Sequence, residues 1–172
     1  MGVDLRMAMR NFATGVCVMT TYADGPNGRT HDGVTVNSLT SVSLDPPLVS
    51  VCLRRDSTFL ADLLDTKVWA LSILDISATD VARAFAQNRE VRAAALHTLS
   101  ATPGEDTGAL VLDSPAWLEC RLRQHVDVGD HTVVVGDVIA TGAQRGRRPP
   151  LVFLHGEYHA GRCQQQTEEA VK

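Results

Sequence analysis

Lysine is almost missing from this chain: of its 16 basic residues only Lys67 and Lys172 are not arginine, a bias that reflects genome composition more than chemistry. The 20 acidic residues are spread among them and leave a net charge of −4. No basic face is offered to a phosphate backbone, so nucleic acid is not an expected partner. Cysteine is also scarce. Cys17, Cys52, Cys120 and Cys163 form no C-x-x-C pair, and three of them sit in strand-like apolar runs where a thiol behaves as a small hydrophobe, so a disulfide framework is not expected. No apolar run approaches the ~18 residues of a membrane span. The start, MGVDLRMAMRNF, lacks the apolar centre of a signal peptide, and Arg6 stands where a myristoylation signal needs Ser or Thr. The expectation is a cytoplasmic protein that meets no membrane. G-x-G-x-x-G is absent, as is any Ser-His-Asp or Cys-His constellation of family spacing, so neither a Rossmann nucleotide site nor a hydrolytic nucleophile is indicated.

What is present is a 172-residue chain, 44% hydrophobic, enough for one domain over 1–172 with a core at about 5–160 and a fraying tail at 164–172. Its most informative stretch is GVTVNSLTSVSLDPPLVSVCL at 33–53. This segment is rich in β-branched residues, studded with hydroxyls and one amide, and broken by Pro46-Pro47. Thr35, Asn37, Ser38 and Ser41 cannot all be hidden in a core unpaired, so a ligand with donors and acceptors along one edge is expected to meet them.

Along the rest, a short amphipathic helix is predicted over 4–13, a strand over 15–23, and a hairpin loop over 24–29. Strands follow at 31–37 and 48–54, then a helix at 57–65 capped by Ser57 with Phe59, Leu60, Leu63 and Leu64 as its stripe. Further expectations are a strand at 67–74 and a helix from a Ser77 cap to about Gln87. Residues 88–115 mix a possible helix end, VRAAAL, with a polar loop, SATPGEDTGA, and their path is not fixed; beyond them come two long strands joined at VGDH and a last strand LVFLHGEYH. About seven strands, two to three short helices and no βαβ alternation argue for a mainly β, antiparallel barrel.

His155, His159 and Cys163 recur every four residues and raise a metal site. The order is not H-E-x-x-H, and on one strand the two histidines stand roughly 13 Å apart at a ~3.3 Å rise. No metal is expected. The RGRR run at 145–148 is read as a solvated loop in preference to a phosphate contact.

FATGVCVMTT at 12–21, the 33–53 stretch, Ser57, FA at 85–86, LEC at 118–120, GDHTVVVGDV at 129–138 and GEY at 156–158 occur in the order found in the flavin reductase-like family, which this chain resembles over roughly 5–160. The resemblance implies a split β-barrel of Greek-key type with six to seven antiparallel strands, FAD or FMN as cofactor, and NADH or NADPH as co-substrate. It implies that reduced flavin goes to a flavin-dependent monooxygenase component and that the chain forms a homodimer. Thr35, Val36, Asn37 and Ser38 would contact the isoalloxazine, with Ser41 and Val42 continuing that wall. Cys52, Leu53, Arg54 and Ser57 would hold the ribityl chain and phosphate, with Arg54 adding charge and the free amides behind Ser57 suiting an anion. His131 would be the catalytic group, positioning nicotinamide or donating a proton, and Tyr158 would stand at the same cavity. The family often has an aromatic after a basic residue beyond the FA helix, whereas Arg92 is followed by Ala93-Ala94-Ala95; HDGVT also stands where Gly-Met-Thr is commoner. Those alanines, with an aromatic content of 5%, keep open a flavin carrier without NADH turnover. A third reading is a bound flavin that itself reacts with substrate, as in pyridoxamine-phosphate-oxidase-like relatives.

Overall fold

A computed structural model describes residues 4–144, 146 and 148–162. Arg145, Arg147, Cys163 and the expected tail lie outside the described residues. The chain enters through helix α1 (Leu5–Met9) and strand β1 (Thr14–Gly15), then folds into the hairpin β2 (Cys17–Gly25) and β3 (Gly28–Val36). The hairpin loop expected over 24–29 is shorter than that. The strands run to Gly25 and from Gly28, Asp24 pairs with Arg29 across them, and only Pro26-Asn27 form the tip.

The 33–53 stretch contains parts of three strands, because β4 (Thr40–Leu44) intervenes before the proline corner and β5 (Pro47–Arg54) follows it. Helix α2 (Thr58–Thr66) buries Phe59, Leu60 and Leu63, with Leu64 packed beside them, and ends on Lys67 in the left-handed region. Strand β6 (Val68–Ile73) leads to a 3-10 turn at Ile76–Ala78 and helix α3 (Thr79–Phe85). The cap there is Asp75, whose carboxylate accepts from the Ser77 amide, and not Ser77 itself.

The unassigned 88–115 region forms helix α4 (Arg89–Leu96), capped by Asn88, and the small hairpin β7 (Ala101–Pro103) and β8 (Leu110–Leu112). Helix α4 buries none of its residues fully, which is why no apolar stripe announces it. Among the described residues four α-helices therefore stand where two or three are predicted. Strands β9 (Ala116–Val128) and β10 (His131–Ala143) match the two long alternating runs. The final run is two strands, β11 (Leu151–Leu154) and β12 (Glu157–Ala160), because His155 and Gly156 both take positive φ, at 56° and 87°, and turn the chain. With His155 in a turn, the one-strand geometry for His155 and His159 does not apply.

The main sheet has seven antiparallel strands in the order β3-β2-β6-β9-β10-β5-β4. It curls around a core containing Met19, Val51, Phe59, Leu63, Trp69, Leu71 and Val134. The period of two sends Cys17 and Met19 of β2 into that core, while Val18 and its preceding neighbour Val16 join a second cluster with Phe85, Leu112 and Leu151. Strand β2 is thus buried on both faces. Its Thr20 and Thr21 hydroxyls are satisfied by donating to the carbonyls of Leu110 and Val68.

Glu119 looks in sequence like an outward-facing member of β9, yet it is only 2% exposed. The 103–108 loop wraps its carboxylate, with Thr107 donating both its amide and its hydroxyl and Asp106 its amide.

Gly136 on β10 lies against the buried Trp69, and a Cβ there would collide with the indole. Gly136→Ala is therefore expected to destabilise the protein by about 1–3 kcal/mol through overpacking. The measurement is urea unfolding, where the midpoint falls while the m-value stays unchanged.

Candidate functional site

Strands β3 and β4 are the two edges of the seven-stranded sheet, and they do not pair with each other. Only Asn37–Leu39 separate them in the chain, so the sheet curls round but leaves a seam beside β5. Thr40 of β4 faces Ser50, and extending that register would set Ser38 opposite Cys52. The backbone has left the ladder by then. The Ser38 hydroxyl substitutes for it, accepting from the Cys52 amide at 3.0 Å and donating to the Cys52 carbonyl at 3.2 Å.

A cavity of about 270 Å³ opens at this seam. Thr35, Val36, Asn37, Ser38, Cys52, Leu53, Arg54, Ser57 and His131 all line it, from four separate parts of the chain. A smaller hollow of about 170 Å³ shares Thr35, Asn37 and Ala86 with it and adds Val16, Phe153 and Tyr158. The two form one groove. Phe153 and Tyr158 are cross-strand partners with ring centroids 5.4 Å apart, and partial burial raises the Tyr158 phenol above its ordinary pKa.

Ser41 and Val42 stand apart from this groove. The β4–β5 register slips between Ser41 and Ser43, which makes Val42 the bulged residue and leaves its side chain 51% exposed. Thr35 also differs in role from its expectation. Its hydroxyl donates to the Ala82 carbonyl at 2.7 Å, securing α3, so what the edge strand offers the groove is backbone polarity. The Ser38 hydroxyl is likewise committed to Cys52 and serves the seam.

Ser57 occupies the N-cap position of α2, but its hydroxyl makes no capping bond. It faces the cavity uncommitted. Arg54 forms a two-point ion pair with Asp56 at 2.7 and 3.0 Å, with both side chains about 70% exposed. Such a solvent-exposed pair holds its partners weakly and yields readily to an anion. His131 opens β10 opposite Arg54, and its Nδ1 lies 2.8 Å from Asp130. That hydrogen bond is the chief reason the Asp130 carboxyl is held below its ordinary pKa. An ionised carboxylate only accepts, so Nδ1 carries the proton and Nε2 is the uncommitted nitrogen of the neutral ring.

Phe85, Ala86, Gln87 and Arg92 also line the cavity and escaped the sequence reading. The FA pair and Arg92 were visible as motif residues, but nothing local to them announces a wall. Arg92 reaches back to β3 and binds Asp32 through two bonds of 3.0 and 2.8 Å, while also donating to the Gln87 carbonyl. Asp32 is 2% exposed, and Arg89 supports the cluster by pairing with Asp62 and approaching Asp32 at 3.7 Å. This ion pair seats α4 and the 86–87 turn over the groove.

Arg92→Ala strands a buried carboxylate and is expected to cost about 3 kcal/mol. Asp32→Asn combined with Arg92→Met should recover part of that loss. A double-mutant cycle in urea measures the coupling, and additive effects would contradict it.

A groove with aromatic rings at one end, strand-edge polarity in the middle, and Ser57 and Arg54 at the other suits a ligand with an aromatic head and an anionic tail, and His131 lines the same cavity. A family model described as "Flavin reductase like domain" matches residues 9–162. An NADH-dependent FAD reductase of Streptomyces globisporus is 35% identical over 158 residues, which are 91% of this chain and 84% of that protein. A probable flavin reductase of Rhizobium meliloti (strain 1021) is 38% identical over 136 residues, 79% of this chain. The match spans only 42% of that longer relative. Among solved structures, BorF, the flavin reductase component of a bacterial two-component tryptophan halogenase, aligns with a TM-score of 0.84 at 32% identity, over 94% of this chain and 98% of its own.

Proposed function

This chain belongs to the flavin reductase-like family, and from that membership we propose that it is an NAD(P)H:flavin oxidoreductase whose reduced FAD or FMN serves a partner monooxygenase. The observation that carries the reading is the seam groove, where an aromatic hollow, an exposed strand edge and an anion-suited end follow one another without a break. A bound flavin supplies the hydride acceptor and a reduced nicotinamide the donor.

The backbone of residues 35–38 gives the edge-strand polarity that meets the ring. Cys52, Leu53 and Arg54, with the free hydroxyl of Ser57, receive the ribityl chain and phosphate. His131, its Nδ1 fixed by Asp130, offers Nε2 as the group that orients nicotinamide or carries a proton. The Phe153–Tyr158 pair walls one end against water. Among the described residues no helix is long and apolar enough to cross a membrane, which accords with a flavin handed over in water.

The working unit in this reading is a homodimer. Val42 and Leu44 on β4 and Val126 and Val128 at the far end of β9 remain 51–89% exposed, which is apolar surface for a second copy to cover. Sedimentation should give twice the chain mass, and a monomer at working concentration would contradict the dimer.

Purified protein given NADH and either flavin should oxidise NADH above the free-flavin background. His131→Ala should lower kcat by about 10²-fold with flavin affinity retained. A bound flavin that stays oxidised after NADH is added would overturn the reductase in favour of a carrier.

A further inference from the structure

The groove does not stop at Arg54. A third hollow of about 410 Å³ begins there, formed by Arg54, Arg55, Asp56, Gly129 and Asp130 at the tip of the β9–β10 hairpin. Arg54 lines both this hollow and the seam cavity, so the hollow at the hairpin tip adjoins the seam at that side chain. Resting on the flavin reading above, we propose that this outer hollow receives the pyrophosphate and adenosine of FAD, that Arg55 is its selecting residue, and that the chain prefers FAD to FMN.

Arg54 and Ser57 suffice for the single phosphate at which FMN ends. A dinucleotide continues past them, and the next cation, in the adjoining hollow, is Arg55. It lies outside the seam cavity, and its guanidinium donates to the Gly129 carbonyl at 3.3 Å and pairs with Asp127 at 3.2 Å. Arg55 and Asp127 are each about half exposed, so the pair is weak and the guanidinium can be redirected to a phosphate at little cost. The Gly129 contact holds the guanidinium over the tip meanwhile, and the Arg55 amide donates to the Asp130 carbonyl. The tip is therefore set without the arginine side chain.

The carboxylates of the hollow have a matching use. Asp56 is freed when a phosphate takes Arg54, and Asp56 and Asp130 are then acceptors for the two hydroxyls of the adenosine ribose. Carboxylates recognise ribose diols in this way in dinucleotide sites. FMN has neither the second phosphate nor the second ribose and engages none of these groups.

Equilibrium binding of FAD and FMN, read by quenching of flavin fluorescence, tests the assignment without turnover. The wild-type protein should hold FAD about tenfold more tightly than FMN, the size of one charge-assisted hydrogen bond. Arg55→Gln should remove that preference and leave FMN affinity unchanged. Asp127→Asn keeps an acceptor for Thr132 but releases Arg55, and should tighten FAD alone. Equal affinity of the wild type for the two flavins, or an Arg55→Gln variant that weakens both alike, would overturn this inference and leave the flavin reading standing. Failure of either flavin to bind the wild type would remove the flavin reading itself.

Discussion

Two sheet edges that cannot reach each other set the architecture of this protein. Strands β3 and β4 are adjacent in sequence and opposite in the sheet, so the seven strands must curl until their ends approach. Asn37–Leu39 carry the chain from one edge to the other, and the two edges do not pair. Ser38 resolves the conflict with two hydrogen bonds to Cys52, replacing a rung that the backbone cannot supply. A fully zipped barrel would have no seam and no groove, and an unpinned one would expose its core at that edge.

The wall opposite the seam is held partly by charge. Helix α4 contributes no fully buried side chain, although Ala95 and Leu96 pack against the second cluster. The two-point Arg92–Asp32 pair adds to that packing, and its low exposure makes it directional and hard to slide. A groove wall pinned by an ion pair beside a partly buried apolar contact keeps its position while its outer face stays free of the core. That division fits a site through which a ligand must enter and leave.

Most of the fold was legible because its strands alternate cleanly. β9 and β10 are legible from the pattern of Leu118, Cys120 and Leu122 and from the VGDH tip. Misreadings occurred where a local signal was weak or was answered from far away. Glu119 alternates with Leu118 and Cys120 as an outward residue would, and nothing nearby shows that a loop 12 residues earlier donates to it. Helix α4 lacked an apolar stripe because an ion pair of sequence separation 60 secures it. The last strand is split by a turn whose first residue is His155, and a non-glycine residue at positive φ leaves no plain mark in the sequence. In the site, the residues on contiguous strands were found by pattern and resemblance. Arg92, Gln87 and Ala86 were not, since their relevance exists only after α3 and α4 fold back over β3.

Broken local rules also separate the site from the scaffold. A serine at an N-cap that makes no cap bond, a strand edge left without its ladder and an exposed arginine pair each leave polar groups under-used, and all three border one cavity. Glu119 breaks a rule as well, being a buried carboxylate, but its loop donors satisfy it and none of the three hollows includes it. A violated rule whose groups are satisfied within the chain is architecture. One whose groups remain open toward a shared space points to a ligand. By that distinction the hydroxyl of Ser57 and the Nε2 of His131 are the groups left open for the proposed ligand, whereas the hydroxyls of Ser38 and Thr35, which also border the groove, belong to the frame that shapes it.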